Sequence, residues 1–165
     1  MKLNTHEQYI KQLAETPYFD GRWPYYSVVG QEAEKMNPGS VLELGAAGFP
    51  IFVDGTTMDI HQKFSPTVKH DGRVSPWPFK DKTFDLFISL QVWEHLDNKQ
   101  VQAFNEVRRV AKSAILSFPY KWKTADPLDF HNNLDETIFA KWTGNLPART
   151  ILIGTRMIYI FDTLQ

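Results

Sequence analysis

Two glycines behind a short apolar run, an aspartate closing the next one, and two histidines beyond later runs are the residues of this chain best suited to chemistry. The run from Val41 to Leu44 leads into Gly45, Ala46, Ala47 and Gly48. Glycine lets backbone N–H groups come close to a ligand, and alanine keeps such a loop slim. The same pair also serves as a plain strand-to-helix turn. Asp59 ends the following segment, where a carboxylate can accept both hydroxyls of a ribose or simply face water in a loop. His95 follows Glu94 just past the run Phe84 to Leu90, and His131 lies in "DPLDFHNNLDE". An imidazole can take the proton of a hydroxyl or an ammonium near neutral pH, although a histidine at a helix start also has a purely structural reading. His6, His61 and His70 share no spacing with carboxylates that would suggest ligation, so no metal is expected.

These residues must be positioned by a folded domain, and the composition permits one. The chain has 165 residues, 42% apolar and 22% charged, enough to bury a core as one domain over residues 1–165. Its net charge of -1 provides no basic field for a phosphate backbone, so nucleic acid is not an expected partner. No apolar run reaches the length of about 18 residues that a membrane span needs, and no secretory leader is visible. With no cysteine, disulfides and thiolate zinc sites are excluded. A cytoplasmic location is expected, and the oligomeric state is left open.

The pattern along the chain alternates. Thr5 and Gln8 make a capping box before a short helix carrying Tyr9, Ile10 and Leu13, ending before Pro17. "YFDGRWPYY" reads as an aromatic loop, and residues 27–36 as a helix stopped by "NPG"; together residues 1–39 form a helical and aromatic cap segment. Residues 41–44 are a strand, 56–60 a brief second one, and 84–90 a strongly apolar third. A helix capped by Asp97 or Asn98 follows, with Val101, Phe104, Val107 and Ala111 on its apolar face and Arg108 and Arg109 on a solvated one. Residues 113–118 are a strand, and Asn133 with Glu136 boxes a helix that buries Ile138, Phe139 and Trp142 and stops at Gly144. "RTILIGTRMIYIF" predicts a hairpin about residues 154–156. Strands alternating with helices imply an α/β, Rossmann-like sandwich of three layers around a mostly parallel sheet with an antiparallel C-terminal hairpin. Ligands of such sheets sit at the carboxyl ends of the strands, so the loops after Leu44, Met58 and Leu90 should meet.

From Pro50 to Gly55 there is room for little more than one helical turn, and Phe49 follows Gly48. A pyrophosphate needs the N–H groups and dipole of a helix N-terminus, so a nicotinamide dinucleotide would be poorly held. S-adenosylmethionine, with ribose and adenine but no phosphate, asks less of that helix. At this point "VLELGAAG", "MDI" and "WPFKDKTFDLFISLQVWEHL" resemble, in order, the motifs of class I S-adenosylmethionine-dependent methyltransferases, above all the small-molecule branch with its "LPF…D…FDLV…EHL". The resemblance spans about Val41 to Pro119.

That resemblance implies a seven-stranded sheet and methyl transfer to an oxygen or nitrogen of a small molecule. It implies that Glu43 and the Gly45, Ala46 and Gly48 loop face the methionine end of the cofactor. Asp59 would bind the ribose, Ile60 would pack on adenine, Asp71 would approach the adenine amino group, and Gln91 would border the methionine moiety. His95 and His131 are then the candidate bases. Two departures stand out: Phe49 replaces the third family glycine, and the interval from Glu43 to Asp59 is short by about two helical turns. Trp23, Tyr25 and Tyr26 could cover the open side or pack on the core. An inactive methyltransferase-like binding protein, or a subunit of a larger assembly, is the rival reading.

Overall fold

The strand following the glycine loop returns to the sheet without a helix, and the rest of the architecture accommodates that shortcut. The computed structural model describes residues 1–126, 129–144 and 147–165. Its elements are α1 (His6–Glu15), α2 (Trp23–Lys35), β1 (Val41–Leu44), β2 (Thr56–Asp59), β3 (Val68–Lys69), β4 (Phe84–Leu90), α3 (Gln100–Val110), β5 (Ala111–Pro119), α4 (Glu136–Thr143), β6 (Arg149–Ile153) and β7 (Arg156–Phe161). They form a seven-stranded sheet of order β3-β2-β1-β4-β5-β7-β6. Strands β3 to β5 pair in parallel, and β7 runs antiparallel between β5 and β6. The sandwich and its C-terminal hairpin are those the sequence pattern implies. The unforeseen strand is β3, two residues long, whose edge position lets a brief, half-polar segment pair at all. No described helix is long and apolar enough to cross a membrane.

Alternation along the strands supplies two apolar faces. On one, Leu42, Leu44, Met58, Phe87 and Leu116 meet Phe104 and Val107 of α3 and Phe139 of α4. On the other, Val41, Leu86, Ile88 and Ile115 meet Tyr25, Tyr26 and Val29 of α2, with Tyr9 of α1 behind them. Phe49 joins this second cluster, its ring 5.9 Å from Tyr9, 5.7 Å from Phe19 and 6.0 Å from Tyr26. The surface that a helix after β1 would cover is therefore filled by aromatic rings from the N-terminal segment. A short antiparallel pairing adds to this: Asn4 N donates to Ile51 O at 2.9 Å and Val53 N to Lys2 O at 2.9 Å, about a Leu3–Phe52 bridge.

Several local expectations are corrected. Helix α2 starts at Trp23, with Pro24 in its first turn where a missing N–H costs nothing, and Pro17–Phe19 forms a 3₁₀ turn. Of the two readings left open for the aromatic segment, Tyr25 and Tyr26 take the core packing, while Trp23 packs against His6 and Tyr9. Helix α3 starts at Gln100 with no side-chain cap, since Asp97 and Asn98 take left-handed backbone, and Val101 is exposed. The cap of α4 is Asp135, whose carboxylate accepts from Thr137 N and Ile138 N, in place of an Asn133–Glu136 box. Gly144 does close that helix in the left-handed region. Arg109 is no solvated residue: it donates to Phe79 O at 2.6 Å, Trp77 O at 3.0 Å and Glu106, tying the Pro-rich segment to α3. Arg108 lies over the Phe104 ring and donates to Thr143 O.

Because the Phe49 ring fills space that no helix occupies, Phe49→Ala should lower the free energy of unfolding by about 3–5 kcal/mol. Urea denaturation measures this; a loss under about 1 kcal/mol would show that the ring is dispensable.

Candidate functional site at the carboxyl ends of the strands

The chain leaves β1 toward β2 on one side and enters β4 on the other, so the crevice at the ends of β1 and β4 is the topological switch point of the sheet. A cavity of about 640 Å³ opens there, with Leu44, Gly45, Asp59, Ile60, Asp71 and His95 in its wall. Its size is in the range of small-molecule sites. A smaller recess beside it is lined by Ala46 and Gly48 and shares Asp59 and Phe64 with the first. The loops after β1, β2 and β4 thus meet, and most of the residues singled out in the sequence lie around them.

Each is held by local structure. Gly45 has φ +75°, and a Cβ there would lie 2.4 Å from a Val92 methyl, so the close approach this glycine permits is to Val92 of the β4 loop. Gly48 has φ +87° and open space beside it, its nearest neighbour being Phe64 at 3.9 Å. Asp59 is buried, with Oδ1 accepting from His61 N at 2.8 Å; its other oxygen bonds no described residue. Asp71 accepts from the Arg73 guanidinium through both oxygens, and Arg73 reaches on to Asp97. The Arg73 bonds hold the Asp71 carboxyl below the usual carboxylate range.

Glu43 and Gln91 stand behind the wall. The buried Glu43 carboxyl accepts the Ile51 N–H at 2.7 Å beneath the glycine loop, and burial pushes its pKa up to about 8. Gln91 turns toward Ser117, to which its amide donates at 3.3 Å. The resemblance implied that both border the methionine end of the cofactor; here the Glu43 carboxyl is engaged by Ile51 and the Gln91 amide by Ser117.

His95 and His131 come together, their ring centroids 5.2 Å apart, with Phe130 4.8 Å from His95 and 4.2 Å from His131. Partial desolvation, then the neighbouring His131, holds the His95 pKa below the ordinary histidine value. Asp129 Oδ1 accepts from the His131 backbone at 2.9 Å and lies 2.6 Å from its Nδ1. Sequence reasoning passed over Asp129, although an aspartate two residues before a histidine is the spacing of an Asx turn. It also passed over Tyr18, Phe64, Arg73 and Val92, which line the cavity and whose approach depends on how the turns close.

Comparisons with known proteins agree with this architecture. A family model described as a methyltransferase domain matches residues 51–114, beginning just past the glycine loop. Among solved structures, the SAM dependent methyltransferase from Aquifex aeolicus aligns at a TM-score of 0.57 and 13% identity, over 80% of this chain and 89% of that one. An rRNA methylase from Escherichia coli aligns at 0.67 and 17%, over 93% and 70%. The N-methyltransferase NodS from Bradyrhizobium japonicum aligns at 0.60 and 14%, over 89% and 99%. No curated protein matches the sequence significantly. The chain has the fold of the class I S-adenosylmethionine-dependent methyltransferases, and its residues 51–114 match a methyltransferase-domain family model. The cofactor of that class is S-adenosylmethionine, and its activity is methyl transfer.

The residues present suit such a cofactor. The Asp59 carboxylate in the cavity wall, with one oxygen that bonds no described residue, the open side of Gly48 and the apolar surface of Ile60, Phe64 and Leu96 fit a molecule with one ribose, one flat base and no phosphate.

The inward placement of Glu43 carries its own consequence. An exposed glutamate titrates near 4.5, whereas folded Glu43 keeps its proton to about pH 8. Between these values the unfolded chain binds fewer protons than the folded one, so this group's contribution to stability declines as pH rises. Relative to Glu43→Gln, the wild type should lose more than about 1 kcal/mol of stability between pH 5 and pH 8. Urea denaturation at both pH values reads the difference; a constant gap would mean that Glu43 is ionised in the fold.

Proposed function

We propose that residues 1–165 form one methyltransferase domain, with residues 1–39 as its N-terminal cap, that transfers a methyl group to an oxygen or nitrogen of a small molecule. The observation that carries the reading is that Asp59 and His95 line one cavity from opposite sides of the switch point. A ribose acceptor on one side and an imidazole on the other are the groups a donor and an acceptor would need. The net charge of -1 and the absence of a basic tract favour a small acceptor, even though two structural neighbours are rRNA methylases.

S-adenosylmethionine supplies an activated methyl sulfonium, so the protein's work is largely alignment. Asp59 would accept the ribose hydroxyls, Ile60 would lie on the adenine and Asp71, already oriented by Arg73, would receive the adenine amino group. Gly45, Ala46 and Gly48 would carry the backbone past the methionine portion. Glu43 would position that loop through Ile51, and Gln91 would brace the exit of β4 through Ser117. His95, with His131 beside it, would take the acceptor's proton as its nucleophile attacks. The lowered pKa keeps an imidazole neutral, as a base must be.

S-adenosylhomocysteine should raise the melting temperature through binding to the folded state, while NAD at equal concentration should not. Asp59→Ala should weaken that binding by about 1.5–3 kcal/mol, the scale of charge-assisted hydrogen bonds, with little change in fold. Thermal shift and calorimetry test both. Stabilisation by NAD alone would overturn the cofactor assignment, and unchanged affinity in Asp59→Ala would remove that carboxylate from the site.

A further inference from the structure

The β4 loop and the segment after β5 bring together three side chains of ligand type that sequence spacing did not connect. One carboxylate oxygen of Glu94 and one ring nitrogen each of His95 and His131 lie within 4.8 Å of one another. Glu94 is buried, and its Oε2 is excluded from solvent without a hydrogen-bond partner. A buried carboxylate oxygen left without a donor is unfavourable unless something completes it. Arg22 is the cation that acts on Glu94, but it makes no hydrogen bond to Oε2, and among the described residues the groups packed on the two histidines are Phe130, Trp122 and Asp129.

From this convergence we infer that Glu94, His95 and His131 form a binding site for a divalent first-row transition ion at the acceptor end of the cavity. Two imidazoles and one carboxylate are the donor set that such ions take in sites with open positions. Asp129 supplies the outer contact. By receiving Nδ1–H of His131 it fixes the ring's tautomer and leaves the Nε2 lone pair for the ion, the arrangement common to metal-binding histidines. The ligand atoms of a tetrahedral ion with bonds of about 2.1 Å lie about 3.4 Å apart. Small rotations of His95, which is exposed, and of His131, whose side chain is 23% exposed, supply that approach. Three protein ligands leave room for water or for an oxygen of a bound molecule, and His95 already lines the cavity. The absence of a metal expected from the sequence is revised here: His95 and His131 stand far apart in the chain, and Glu94 beside a histidine looked like a helix start. The proton-accepting role given to His95 above belongs to the metal-free chain; with the ion in place both lone pairs are used in ligation. The inference stands on the side chains alone and does not depend on methyl transfer.

The test uses the untagged full chain, stripped with a chelator and titrated with Co²⁺, followed by its visible absorption and by calorimetry. One equivalent should bind with a d–d spectrum. His131→Ala and Glu94→Gln should each weaken binding more than tenfold, and Asp129→Asn by about 10- to 100-fold. Circular dichroism of the stripped variants checks folding, and the partly exposed His131 and Asp129 keep the test informative if the buried Glu94→Gln does not fold. No bound Co²⁺, or an affinity unchanged in both His131→Ala and Asp129→Asn, would overturn the inference by leaving any binding to the surface histidines.

Discussion

A buried carboxyl bonded to one backbone N–H, with one aromatic ring packed beside it, is what lets this sheet cross from β1 to β2 without a helix. Parallel neighbours ordinarily need a crossover of a dozen residues or more, usually helical, both to span the sheet and to cover its face. Here the residues from Gly45 to Gly55 make the return in turns. Glu43 holds Ile51 from below, Phe49 sinks into the Tyr9, Phe19 and Tyr26 cluster, and residues 2–4 pair alongside residues 51–53. Remove those contacts and the glycine loop has nothing behind it. Position 49 shows how the burden was moved: a glycine there would free the backbone, whereas the phenylalanine anchors it.

That anchoring shapes the site. With the loop pulled toward the N-terminal segment, Gly45 lies under Val92 and Gly48 faces open space beside Phe64. The ligand-facing surface becomes a cavity bounded by Asp59, Ile60 and the Asp71–Arg73 pair on one side and His95 on the other. Tyr18, carried on the 3₁₀ turn between α1 and α2, adds to its wall. The N-terminal segment therefore contributes twice, with Tyr9, Phe19, Tyr25 and Tyr26 covering the sheet face and Tyr18 bordering the cavity.

The sheet and the glycine loop were legible because they rest on short-range pattern: apolar runs of strand length, glycines behind them, and the ordered series "VLELGAAG", "MDI" and "FDLFISL". Asp59 and His95 were singled out from their places just beyond strands, and Ile60 and Asp71 from the family resemblance alone; all four lie in the wall of the cavity. What was not legible depends on chain geometry. β3 is too short and polar to show periodicity. Helix α2 was read late because Pro24 resembled a loop residue, and the bonds of Glu43 to Ile51 and of Gln91 to Ser117 join residues that no local pattern connects. The pairing of His95 with His131, and of Arg109 with the Pro-rich segment, joins residues whose separation carries no period at all.

The central claim is that the helix-free loop, held by Glu43 and Phe49, still borders a site for an adenosyl amino acid. An amide-resolved nuclear magnetic resonance titration of the ¹⁵N-labelled chain with S-adenosylhomocysteine addresses it most directly. The account predicts saturable shifts concentrated at Gly45, Gly48, Asp59, Ile60 and Gly72, with the α3, α4 and hairpin amides unmoved. Shifts confined to surfaces away from the ends of β1, β2 and β4, or no saturable shifts at millimolar ligand, would contradict it.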